Sequence, residues 1–221
     1  MQRKIVPELL DSDAGTEREV RQGLRDLQRI NTLFGGVTSM VKMVRRVASE
    51  TGQKQFRYLE VASGDGFLPR AANQWLASDG IQLDVHLLDR AQSHLPDSGI
   101  PTHVGDALEL PFEENSFDLV ACNLFMHHLG PEDVQAFARE SLRVARRAVL
   151  ISDLIRSRLH LALAHLGLVL FRSPITWHDS LASIRAAYTP AEAQQMLSQS
   201  GAQKFEIDSF YLYRMGIVLW K

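Results

Sequence analysis

The run Tyr58-Leu59-Glu60-Val61-Ala62-Ser63-Gly64-Asp65-Gly66 constrains this chain more than any other stretch, because a short apolar strand delivers an acid and then a glycine-rich turn into an amphipathic segment. At the carboxyl end of a parallel strand the chain must turn tightly and let a ligand approach its backbone. Glycine lacks the Cβ that obstructs both. A second strand-like run, residues 81–90, ends in Asp89, 23 residues past Gly66. Nucleoside-binding folds place the carboxylate that takes ribose hydroxyls at about this distance.

A pyrophosphate turn usually reads G-x-G-x-x-G and aims backbone N–H groups at an anion. Here the turn is A-S-G-D-G, with Glu60 and Asp65 close by. Two carboxylates repel a pyrophosphate but suit a ligand carrying an ammonium, a sulfonium and ribose hydroxyls, which points to S-adenosylmethionine. Residues 102–129 add a third strand, the turn Gly105-Asp106-Ala107, a proline-containing bend and a fourth strand, FDLVACN. Asp106 stands where an adenine amino group is read.

This order of motifs resembles the class I S-adenosylmethionine-dependent methyltransferases, above all the small-molecule group in which a GDA turn precedes LPF, SFDLV and an HH pair. The resemblance spans roughly residues 56–153. It implies that Glu60, Ala62, Ser63, Gly64 and Gly66 wrap the methionine portion and that Asp89, with Arg90 beside it, holds the ribose. Asp106 and Ala107 then flank adenine, and Asn123 with Leu124 lies beside the sulfonium. The chain departs from the pattern at Ala62, where the family more usually has the first glycine of E-x-G-x-G-x-G.

Composition narrows the alternatives. The 221 residues are 45% apolar and 23% charged, as in an ordinary globular protein, and the net charge of −2 gives a nucleic acid little to bind, so no such partner is expected. Cys122 is the only cysteine, which excludes an internal disulfide and leaves no thiolate cluster for zinc; no metal is expected. The first residues lack the apolar stretch of a secretory signal, so the expected location is cytoplasmic.

Thr16 and Glu19 have the spacing of a capping box, and Val20, Leu24, Leu27, Ile30, Leu33 and Phe34 form one apolar helical face after an irregular lead-in at 7–15. Gly35-Gly36 breaks that helix, and a second follows from Val37 to Val47. Strands are expected near 57–62, 82–88, 101–104, 117–122 and 147–152, with helices near 67–78 and 131–145, the latter ending in Arg139, Arg143, Arg146 and Arg147. This alternation predicts a Rossmann-like α/β fold whose seven-stranded sheet is mostly parallel, with an antiparallel edge pair formed by 203–210 and 212–220. Residues 1–50 are expected to be a helical cap, and 51–221 a methyltransferase domain with a helical insertion near 156–188. Residues 159–171 are the most apolar run; at fewer than the roughly 20 residues a membrane span needs, they form either a buried helix or the lining of a pocket.

Methyl transfer from a sulfonium is an in-line displacement, so alignment and exclusion of water dominate. A phenolic acceptor, with a pKa near ~10 in water, benefits from an imidazole base. The candidates are His127, His128 and His178, the last favoured because Asp179 follows it. Each has a plainer reading, as a helix cap, a packed ring or a loop residue. The expected activity is O-methylation of a phenol or quinol on a small, largely apolar acceptor. C- or N-methylation, a non-catalytic interaction module and a nicotinamide dehydrogenase are the rivals, and the oligomeric state is left open.

Overall fold

The computed structural model describes residues 1–12, 14–97, 99–210 and 212–221; Asp13, Ser98 and Tyr211 lie outside it. Five strands are parallel: β1 (Gln55–Val61), β2 (Gln82–Asp89), β3 (Thr102–Val104), β4 (Phe117–Asn123) and β5 (Ala145–Leu154). Strands β6 (Lys204–Phe210) and β7 (Arg214–Trp220) complete a seven-stranded sheet of order β3-β2-β1-β4-β5-β7-β6, with β7 antiparallel to both neighbours.

Both faces of the sheet are covered, so its strands are apolar on both sides. Leu59, Val61, Val120 and Cys122 point to one face, where they meet α4 (Pro131–Val144) and α7 (Pro190–Leu197) through Phe137 and Leu197. Phe56, Tyr58, Leu119 and Ala121 point to the other, against α2 (Gly36–Thr51) and α3 (Phe67–Leu76) through Met40, Val44, Leu68 and Leu76. Helix α2 is therefore part of the core, and within residues 1–50 only the segment up to Phe34 borders the ligand cavity described below.

Local chemistry sets the helix ends. Thr16 and Glu19 form the expected capping box at the start of α1 (Glu17–Leu33), and Thr189 with Glu192 forms another at α7. Gly35 takes a left-handed φ of 81° between α1 and α2; a Cβ on Gly36 would lie 2.3 Å from Asn31 Oδ1, so this corner needs glycine. The buried Asp26 of α1 accepts hydrogen bonds from the Ser173 N–H and the Thr176 hydroxyl, capping α6 (Pro174–Ala186) from outside.

Two expectations change and a third is narrowed. Arg146 and Arg147 do not end α4 but begin β5, where Arg146 pairs with Asp118 at 3.0 Å, because the backbone turns extended at Ala145. Leu33 is 64% exposed, off the apolar face that Leu24, Leu27, Ile30 and Phe34 turn to the cavity. Of the two readings of 159–171, pocket lining rather than a buried helix holds: α5 (Arg158–Gly167) contains no buried residue, and Leu163, Ala164 and Leu168 border the cavity. Among the described residues no helix is long and apolar enough to cross a membrane.

Candidate active site

Strand order reverses between β1 and β4, so the crossovers leave on opposite sides and open a crevice at their carboxyl ends. There the chain encloses a cavity of about 730 Å³. Residues directly after the two central strands, Ala62 and Leu124, have φ of 53° each, a left-handed conformation that turns both loops away from the sheet.

The glycine-rich turn is held from two sides. Asp89 at the end of β2 accepts hydrogen bonds from the backbone N–H of Gly64 at 2.9 Å and of Ala91 at 2.9 Å. Asp65 accepts from the Phe67 N–H, starting α3, and from the Gln28 amide of α1 at 2.5 Å. A Cβ on Gly64 would meet nothing within 4 Å, leaving open space over the turn. Gly66, by contrast, does not border the cavity. Its φ is 66°, and a Cβ there would lie 2.4 Å from Leu87 Cδ1, so this glycine serves packing between turn and sheet.

Glu60 is fully buried beneath the turn, with Tyr58 O–H as its hydrogen-bond donor. Burial pushes its carboxyl pKa up to about 7, against the lowering effect of the Tyr58 bond. Glu60, Ala62, Ser63, Gly64, Asp89 and Arg90 all border the cavity, as do Asp106, Ala107, Asn123 and Leu124. Asp106 Oδ1 accepts from the Leu108 N–H at 2.8 Å, fixing its turn.

The histidines divide. His127 and His128 border the cavity, and His178 does not. The His178 ring does pair with Asp179, at 2.8 Å, but on the outward side of α6; the Asp179 carboxylate also accepts from the Leu9 and Leu10 N–H groups. The favoured catalytic position for His178 is thus corrected by the helix phase. His127 is buried with Nδ1 2.7 Å from Asp153 Oδ1 and Nε2 3.2 Å from Glu8 Oε1. Burial alone would lower its pKa, but the carboxylates of Asp153 and Glu8 outweigh it and push the ring up to about 10; Asp153 is in turn held below its usual value despite its own burial. His128 lies beside it, with Nδ1 3.1 Å from Asp11 Oδ2 and Nε2 3.9 Å from Glu8 Oε1.

Glu8 and Asp11 were not foreseen. They belong to an N-terminal strap stitched over the cavity by Arg3, which donates to the carbonyls of Ala186, His127 and Leu129. The ligand atoms of Glu8, His127 and His128 lie within 4.8 Å of one another, close enough to share a cation, though ion pairing already accounts for the His127 contacts. Arg214, also unforeseen, is buried at the cavity wall and donates to Asn123 Oδ1 at 2.9 Å and to the Phe34 carbonyl; burial lowers its pKa to about 10, against the opposing influence of Asp153. Asn123 donates in turn to Asn31 Oδ1 at 3.0 Å. An acid ending β5 was a readable signal for Asp153; nothing local marked Glu8 or Arg214.

Residues 59–151 match the family model described as a methyltransferase domain, over the strands that build this crevice. Residues 59–151 are a methyltransferase domain, and the fold is that of the class I S-adenosylmethionine-dependent methyltransferases. Its cofactor is S-adenosylmethionine. The methyltransferase fold extends to solved structures of low identity. The plantazolicin methyltransferase BpumL, crystallised with S-adenosylhomocysteine and a monoazolic desmethylPZN analog, is 11% identical over 96% of this chain and 93% of its own, with a TM-score of 0.69. A SAM-dependent methyltransferase from Aquifex aeolicus is 15% identical over 80% and 88%, at 0.54. Human N-acetylserotonin methyltransferase is 14% identical over 93% of this chain and 56% of its own, at 0.60.

Proposed function

We propose that this methyltransferase methylates a hydroxyl oxygen of a small, largely apolar acceptor, a phenol or quinol, with His128 taking the proton. The observation that carries the reading is the pairing of His127 and His128 in one cavity with the acids of the β1 and β2 ends. An amine needs little beyond desolvation, whereas a hydroxyl needs a base.

The donor set fits the cofactor. Glu60 is a buried carboxyl with no ion pair among the described residues, matching an ammonium, and the open space over Gly64 admits a ligand against the backbone. In this reading Ala62, Ser63 and Gly64 hold the methionine portion, Asp89 and Arg90 the ribose edge, Asp106 and Ala107 the adenine, and Asn123 and Leu124 the reacting end. Bound there, the cofactor supplies an electrophilic methyl group. Gly66 supports the turn from behind.

The two histidines take different parts. His127, held between two carboxylates with its pKa near 10, is already protonated at neutral pH and acts as a fixed cation that positions its neighbour. His128, whose Nδ1 lies beside Asp11 and whose Nε2 lies 3.9 Å from Glu8, borders the cavity as the base. Residues 1–34 and 156–188 cover the acceptor and exclude water, with Leu24, Leu27 and Leu168 among the apolar walls.

The test is product analysis by mass spectrometry after incubating S-adenosylmethionine with parallel sets of phenols, quinols, amines and active-methylene compounds. Methyl ethers are expected, and His128→Ala should slow their formation by about 10²–10⁴-fold. Products methylated only on nitrogen or carbon, or an unslowed variant, would refute the oxygen reading.

A further inference from the structure

We propose that the outer face of α5 and the turn after it docks on an anionic lipid bilayer, and that the acceptor enters the cavity from that surface. The proposal rests on the reading that the cavity beneath α5 takes the acceptor.

The first observation is where the exposed apolar side chains gather. Leu159, Leu166, Val169 and Trp177 are 57%, 74%, 84% and 45% exposed and do not border the cavity, Leu163 and Leu170 stand at its rim at 45% and 60%, and only five other large apolar side chains on the described residues are exposed to a comparable degree. Trp177 is tied to the end of this segment by its indole N–H, which donates to the Phe171 carbonyl at 3.0 Å. Single exposed leucines are ordinary; a gathering of this kind marks a contact surface.

The second observation is what lies behind it. The inner side of the same helix, through His160, Ala164, Gly167 and Leu168, borders the cavity. Helix α5 is thus a wall one helix thick, apolar on both sides, between the cavity and the outside.

The third observation selects the occupant. Residues 154–178 contain no Asp or Glu, although the chain has 26 of them, and they include Arg156, Arg158 and Arg172. Arg156 is buried and paired with Glu192. Arg158 and Arg172 are exposed, and no ion pair of either is found among the described residues. Leucine and tryptophan on one surface, with cations and no acids, is the chemistry of a helix lying in the interface of an anionic bilayer. A second copy of the chain would set these arginines against their own equivalents, so self-association on this face is disfavoured.

Cosedimentation of the full chain with phosphatidylcholine vesicles, with and without phosphatidylglycerol, tests the proposal. Binding should require the anionic lipid and fade with added salt. Replacing both outermost side chains, Leu166→Glu with Val169→Glu, should weaken it by about tenfold or more, and Val104→Glu on β3 should not. Circular dichroism and S-adenosylhomocysteine titration of the same preparations should match the native protein. Native protein that ignores anionic vesicles, or a double variant that binds them as well as native, overturns the proposal. So does a concentration-dependent dimer that the double variant abolishes without vesicle binding, which would give the face to a second copy. Failure to bind S-adenosylhomocysteine would instead strike at the cofactor reading and leave lipid binding to be judged separately.

Discussion

The carboxylate of Asp89, at the end of β2, accepts a hydrogen bond from the backbone N–H of Gly64 at 2.9 Å, so the acid assigned to the ribose also fixes the turn assigned to the methionine portion. Removing it does two things at once. Asp89→Ala should weaken S-adenosylhomocysteine binding by about 1.5–3 kcal/mol or more, since charge-assisted bonds are lost and the turn is freed. Asp89→Asn should lie between it and native, keeping an acceptor oxygen for one of the two N–H groups. Calorimetric titration checks this order, and native affinity in a folded Asp89→Ala protein would contradict it.

Glu60 predicts a proton linkage. Its carboxyl titrates near 7 in the free protein, and an ammonium placed beside it favours the charged form. Binding of S-adenosylhomocysteine at pH 7 should therefore release roughly half a proton, and affinity should rise as pH increases through 7. Titrations in buffers of different ionisation enthalpy measure the release. Glu60→Gln should abolish it, and a native protein that releases none would count against the ammonium assignment.

His127 predicts an alkaline loss of stability. A histidine whose folded pKa is raised from 6.5 to about 10 contributes stability that is fully present below about 6.5 and is lost as pH rises through 10. Thermal melts across that window should show a steeper decline for native protein than for His127→Gln. The variant should also be less stable near neutral pH, because Asp153 loses the cation that compensates its burial. Parallel declines in the two proteins would mean that the ring is not held charged.

Ala62 holds a left-handed φ of 53° that glycine adopts without strain. Ala62→Gly should raise stability by up to about 1 kcal/mol, read from chemical denaturation, with S-adenosylhomocysteine binding retained. A destabilised variant would show that the methyl group makes contacts worth more than the strain.

What was legible in the sequence is what short-range chemistry determines. The capping boxes at Thr16 and Thr189, the short apolar runs of β1 and β4 and the acids at strand ends all act within a few residues, and the fold follows from them. The departure at Ala62 was legible too, and the turn keeps its left-handed geometry there at a cost in strain. Contacts made at long range were not. Glu8 reaches His127 across 119 positions and Ser183 across 175, and no local pattern announces either. His178 was favoured on its neighbour Asp179, yet successive helical positions point about 100° apart, so the acid turns inward and the ring outward. The apolar run at 159–171 left burial and pocket lining equally open, because composition does not reveal that one helix face would meet a cavity and the other nothing.

Binding of a sulfur nucleoside by the acids at the β1 and β2 ends is measured by calorimetric titration of the native chain with S-adenosylhomocysteine beside NAD. The native chain should show a single site for S-adenosylhomocysteine, displaced by S-adenosylmethionine and lost or greatly weakened in Glu60→Gln, with no heat from NAD. Saturable binding of NAD with none of S-adenosylhomocysteine would contradict it.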